Sequence, residues 1–169
     1  MKRILLCMMS ILITVLSSCG VGDDEYKTPD ESASEMITNI VVCFENDDNE
    51  TLKTYFSESA KKNGKLDTEI DEAFEFIDGK IVSYGEPNSS CIGPIEDKAY
   101  GATISDIITD KGTEYKIDFN GKYRFDEDKS REGVRGIRVV NMTENDKLPV
   151  GASEKEQNEC CRCIGNYYG

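Results

Sequence analysis

The spacing of apolar residues changes character twice along the chain. Ile4 to Leu16 is an almost unbroken apolar run, interrupted only by Ser10 and Thr14. Gly20 to Asp30 turns polar and acidic, with glycines and Pro29, the composition of a flexible tether. From Ser32 the period is helical. Met36, Ile37, Ile40, Val41 and Phe44 share one face, which predicts a helix over 32–44. Asp30, Ser32 or Ser34 is available to cap it. A second, short helix is expected over 49–56, burying Leu52, Tyr55 and Phe56. A third is expected over 67–76, with Ile70, Ala73, Phe74 and Ile77 on one face and Gly79 as its stop.

After Gly79 the period becomes that of a strand. The segments 80–84, 100–109, 114–125 and 133–142 read as strands, rich in β-branched and aromatic residues. Asp110-Lys111-Gly112 reads as the turn joining the second and third, and Gly136 marks a bulge in the fourth. The segment 88–98 reads as a loop or poor edge strand. From Glu144 onward the chain is polar, and a largely disordered tail carrying cysteines is expected. Helices followed by strands imply an α+β domain, with N-terminal helices packed on an antiparallel sheet of about four strands. The expected organisation is a leader over 1–18, an anchor and tether over 19–30, the α+β domain over 31–143 and the tail over 144–169.

The leader has a positive start, Met1-Lys2-Arg3, an apolar stretch and small residues at its end, which are the parts of a secretory signal. Its apolar run falls short of the roughly 20 residues a spanning helix needs. Leu16-Ser17-Ser18-Cys19 resembles the lipobox of bacterial lipoproteins. That resemblance implies cleavage before Cys19 and a diacylglycerol on its sulfur, with palmitate-like chains as the membrane anchor. Two acyl chains hold a protein stably where one does not. The expected address is the extracytoplasmic face of the cell membrane.

Charge sharpens this picture. The chain carries 20 basic and 33 acidic residues, a net charge of −13. Loss of the leader would leave 18 basic residues and a net charge near −15. Such a surface lacks the basic face that nucleic acid requires. It would also hold the domain away from anionic lipid. Histidine is absent, which removes the commonest general base and the commonest metal ligand together.

The element order is similar to the cone-shaped nuclear transport factor 2-like fold, with a cystatin-like helix on a sheet as the alternative. The chain also resembles a family of uncharacterised Gram-positive lipoproteins of that shape. The residues that carry this are the lipobox, Phe44-Glu45-Asn46-Asp47-Asp48, Leu52 to Ser57, Leu66 to Phe76 and Gly79-Lys80-Ile81-Val82-Ser83-Tyr84. These are core and turn positions, so they imply a fold and little chemistry.

Candidate chemistry is sparse. Beyond Cys19 the cysteines are Cys43, Cys91, Cys160, Cys161 and Cys163, an odd number in a compartment that permits disulfides. Cys43 reads as a core filler. Cys-Cys-Arg-Cys lacks the paired spacing of a structural zinc site. The acidic runs at 23–25, 46–50 and 126–128 lack the spaced pattern of a calcium loop and read as solvated charge. No phosphate loop, dinucleotide fingerprint or nucleophile elbow is present, so neither a cofactor nor a metal is expected. Tyr84, Tyr100, Tyr115 and Tyr123 are candidates to line a pocket. Asp118 alternates with Ile117 and Phe119 and should face the other way, toward water. The expected function is non-catalytic binding of a small ligand, peptide or envelope protein by a lipid-anchored domain. The alternative is an anchored enzyme using an Asp/Tyr acid-base pair in a cone pocket.

Overall fold

The structure, a computed structural model, describes residues 27–93, 97–149 and 152–167. The leader, with Leu16, Ser17, Ser18 and Cys19, and the tether up to residue 26 lie outside the described residues. Among the described residues no helix is long and apolar enough to cross a membrane.

The first helix, α1 (Pro29–Glu45), starts earlier than its apolar period predicts. The cap is Thr28 rather than Asp30, Ser32 or Ser34. Its hydroxyl accepts from the Glu31 N–H while the Glu31 carboxylate accepts from the Thr28 N–H, a reciprocal capping box. Pro29 occupies the first turn, where its missing N–H costs nothing. Ala33, Ile37, Ile40, Val41 and Phe44 form the buried stripe, and Cys43 is buried beside them. Two short helices, α2 (Asn49–Thr54) and α3 (Glu58–Lys61), follow. They are capped by Asp48 and Ser57, whose side chains accept from the N–H of Thr51 and Ala60. Then α4 (Leu66–Phe76) buries Leu66, Ile70 and Ala73. Phe44 and Phe74 stack with ring centroids 4.5 Å apart and tie α1 to α4.

Six antiparallel strands make one sheet: β1 (Ile81–Ser83), β2 (Asn88–Ile92), β3 (Asp97–Thr109), β4 (Glu114–Phe125), β5 (Gly133–Asn141) and β6 (Cys161–Gly165). β1 and β2 share one edge, pairing with successive halves of β3; the order then runs β3, β4, β5, β6. Two strands exceed the expectation of about four. β2 forms in Asn-Ser-Ser-Cys-Ile, a poor strand sequence held by its partner β3. β6 forms inside the segment 144–169, expected to be largely disordered. There Ile164 inserts into the core opposite Ile137, and its burial together with the hydrogen-bonded ladder to β5 orders the five-residue strand. Helix α5 (Met142–Asn145) leads into that stretch, and α6 (Glu154–Glu159) lies within it.

Alternation sorts the sheet into two faces. Tyr100, Ala102, Ile104, Ile107, Tyr115, Ile117, Phe119, Ile137, Val139 and Ile164 point to the helices and form the core with α1. β3 carries one extra residue against β4 between Ile104 and Ile107, where Asp106 takes a positive φ of 56°. β5 carries an extra residue at Arg135, beside the glycine that marks the bulge in the sequence.

Two groups on this inner side, Tyr100 buried and Cys91 partly buried, tie stability to alkaline pH. Burial pushes the Tyr100 phenol up to about 12, with Cys91 and Tyr123 adding to it. Burial, then the neighbouring Asp30 carboxylate, pushes the Cys91 thiol up to about 11. Both groups titrate near their ordinary values of 10.0 and 9.0 once unfolded. Above pH 9 the unfolded chain therefore binds fewer protons than the folded one, and stability falls as pH rises. Urea melts should give constant stability up to about pH 9 and then a decline, limited to roughly 1.4 kcal/mol per pH unit for each group. An unchanged midpoint up to pH 11 would contradict the raised proton affinity of both.

Candidate functional site

The face of the sheet turned away from the helices carries a line of polar residues. Asn88 on β2 sits opposite Thr103 on β3, which sits opposite Asp118 on β4. Asp118 sits opposite Arg138 on β5, and Arg138 opposite Cys163 on β6. The next row holds Ser90, Gly101, Asn120 and Gly136.

A sheet face without helices should be solvated, but Asp118 is only 4% exposed. The cover comes from the end of the chain. Gly165, at a positive φ of 69°, ends β6, and the Asn166 N–H then donates to the Arg135 carbonyl at 2.9 Å. This carries Tyr167 back across β5. A Cβ built on Gly136 would lie 2.5 Å from the Tyr167 Cα, so the backbone of Tyr167 occupies the space a side chain would need. The Asn120 amide donates to the Tyr167 carbonyl, and the Arg138 guanidinium lies 4.8 Å from the centre of the Tyr167 ring.

Under this cover Arg138 engages only one oxygen of Asp118. Nε and Nη2 donate to Oδ2 at 3.3 and 3.0 Å. The other oxygen, Oδ1, and the amide oxygen of Asn120 are both buried without a hydrogen-bond partner. A buried acceptor left unpaired costs about 1–3 kcal/mol, so two side by side require an explanation. Both residues line a cleft of about 290 Å³, walled by Asn88, Ser90 and Ile92 of β2, Ala99 to Thr103 of β3, and Tyr167. Its volume lies just below the range of about 300–1,000 Å³ usual for small-ligand sites.

A second depression, of about 370 Å³, holds Ser57, Ser59, Asn63, Arg131 and Arg135 on the other side of the tail. Its buried hydroxyl, on Ser57, is already paired with the Ser59 hydroxyl and the Ala60 N–H. It contains no unpaired buried group to set against those of Asp118 and Asn120.

The four tyrosines expected to line a pocket do not converge. Tyr84 is 38% exposed at the β1 edge. Tyr115 is fully buried in the core, where its hydroxyl donates to the Phe76 carbonyl and accepts from the Asp78 N–H. Tyr123 donates to the Lys27 carbonyl and lies 5.9 Å from Tyr100, ring to ring. Of the four, Tyr100 alone borders the cleft. Asp118 does face away from Ile117 and Phe119, but it faces Arg138 and Tyr167 rather than water. Sequence reasoning passed over Asn120, Arg138 and Tyr167. A weak signal existed: Asp118 and Asn120 are two acceptors spaced two residues apart in a strand, hence on one face.

The cysteines stay apart in role. Cys43, Cys91, Cys160 and Cys161 are free thiols, and Cys161 and Cys163 alternate with Arg162 and Ile164 on β6. Burial pushes the Cys43 and Cys160 thiols up, away from the reactive thiolate. Among the described residues no three His, Cys, Asp or Glu side chains gather as metal ligands would.

No curated protein matches the chain. A family model does, over residues 39–144, which runs from the second half of α1 into α5. Asp118, Asn120 and Arg138 lie inside the matched stretch, and Tyr167 lies beyond it. That match covers more than half of the chain, and the protein belongs to the family described as a domain of unknown function, DUF5104.

Proposed function

We propose that this protein is a membrane-anchored extracytoplasmic lipoprotein whose domain binds a ligand in the cleft beside Asp118 without transforming it. The observation that carries the binding reading is that Asp118 and Asn120, each with a buried, unpartnered acceptor, both line one open cleft. The anchor rests on the leader and on Leu16-Ser17-Ser18-Cys19, with the diacylated Cys19 holding the domain at the membrane through its tether. The acidity of the chain suits a domain that stands off an anionic surface. Nucleic acid is not among the proposed partners; the occupant is a small ligand, or part of a peptide or envelope protein. For the fold, the helices-then-meander order supports a nuclear transport factor 2-like cone as the finer description. In it the helices fill the inner side, and the cleft lies outside.

No specific observation favours an Asp/Tyr enzyme. Asp118 is engaged by Arg138, while Tyr100 and Tyr115 project from the opposite face of the sheet.

Native mass spectrometry of the protein purified from its own membrane tests both halves. The expected spectrum shows a chain beginning at Cys19, heavier by a diacylglycerol, with a further non-covalent mass. Ser90→Trp, which fills the cleft from the exposed edge strand, should lose that mass and keep the lipid. A chain retaining its leader would overturn the anchor. A bound mass that survives Ser90→Trp, or no bound mass at all, would overturn the cleft as the binding site.

A further inference from the structure

The chemistry of the cleft narrows the occupant, and this step rests on the binding reading above. Both unpartnered atoms are acceptors, so the occupant must donate hydrogen bonds. Asp118 and Asn120 are two residues apart on one strand, with Cα atoms ~6.8 Å apart, so a single small group with two donors can meet both oxygens. Charge decides what kind of donor. The Asp118 carboxylate is already paired with Arg138, which leaves a cation less to bind. The remaining polar lining, Asn88, Ser90 and Thr103, consists of neutral groups that both donate and accept. A ligand dense in hydroxyls, which also do both, matches that lining. Ile92 and Tyr167 add apolar surface against which the C–H face of a ring can lie.

We propose that the cleft binds a sugar ring, with adjacent hydroxyls donating to Asp118 Oδ1 and Asn120 Oδ1. The ring is either a free monosaccharide or one unit of a glycan.

The test is a titration of the ¹⁵N-labelled full chain in detergent, read by amide shifts. The probes are glucose, mannose, N-acetylglucosamine and its trimer, with butylammonium chloride as a charged donor that has no ring. At least one sugar should produce saturable shifts centred on Thr103, Asp118 and Asn120, and butylammonium should not. Tighter binding of the trimer than of its monomer assigns the glycan source; equal binding assigns the free sugar. Asp118→Asn can still accept from Arg138 through its amide oxygen, but it puts a donor where Oδ1 was. Sugar binding should fall at least tenfold. Should that variant fail to fold, Thr103→Val leaves the Asp118–Arg138 pair intact and should weaken binding severalfold. Saturation by butylammonium alone would overturn the sugar and leave the binding reading standing. The same holds if no sugar binds while native mass spectrometry shows a bound mass that Ser90→Trp removes. Silence in both experiments removes the binding reading as well. Sugar binding unchanged by both Asp118→Asn and Thr103→Val would overturn the placement.

Discussion

Replacing Arg138 by leucine is expected to destabilise the protein by about 3–5 kcal/mol, the cost of leaving a buried charge without its partner. Asp118 is the group left behind, at 4% exposure on a strand in the middle of the sheet. An ordinary surface ion pair contributes about 0–1 kcal/mol, so the size of the loss discriminates between the two situations. The variant also removes the guanidinium that lies on the Tyr167 ring, which should loosen the wall of the cleft. Urea melts of Arg138→Leu and of the double variant Asp118→Asn with Arg138→Leu make the check. The double variant should recover much of the loss, because its buried group is neutral. A loss below about 1 kcal/mol in the single variant would mean that Asp118 is solvated and the tail does not cover it.

Phe56→Ala should cost a similar amount, about 3–5 kcal/mol, for a different reason. Phe56 is 2% exposed and forms an isolated parallel bridge with Val134. The Ser57 N–H donates to the Val134 carbonyl at 2.8 Å, and the Val134 N–H donates to the Tyr55 carbonyl at 3.0 Å. These two bonds hold the turn between α2 and α3 to the start of β5. The ring also reaches β6: a Cβ on Gly165 would stand 3.1 Å from it. Removing the ring opens a cavity where helices, β5 and β6 meet. Loss of stability together with faster hydrogen exchange in β6 is expected. A loss under about 1 kcal/mol would contradict the packing.

Much of the architecture is legible in the sequence. The four-residue spacing of Ile37 and Val41 announced α1, and the alternation of Tyr115, Ile117 and Phe119 announced β4. Both signals are local, arising from residues that repeat at the period of their own element. β6 escaped because only Ile164 in Cys-Cys-Arg-Cys-Ile-Gly is fully buried, and one apolar residue makes no period. β2 reads only as a loop or a poor edge strand because Asn-Ser-Ser-Cys-Ile has little strand preference of its own; it gains its order as an edge strand from β3. The start of α1 was misplaced by a few residues because Thr28 and Glu31 cap it through side chains, ahead of the first apolar position.

The site was harder still. That Asp118 turns its back on Ile117 followed from alternation alone. That it is buried did not, because its cover comes from Tyr167, far along the chain and beyond an irregular stretch. No local pattern near Asp118 encodes where the end of the chain will dock. The tyrosines that looked suited to a pocket are mostly absorbed by the core, because an aromatic on the inner side of a sheet is first of all a large apolar body. Tyr115 shows this most clearly, using its hydroxyl to close the end of α4 rather than to meet a ligand.

An atomic-resolution crystal structure of the chain purified from its own membrane puts the cleft to the most direct test. Density for a ring, within hydrogen-bonding distance of both Asp118 Oδ1 and Asn120 Oδ1 and in contact with Tyr167, is the expected result. Two ordered waters on those oxygens and nothing else, or a Tyr167 lifted away to leave Asp118 open to solvent, would contradict it.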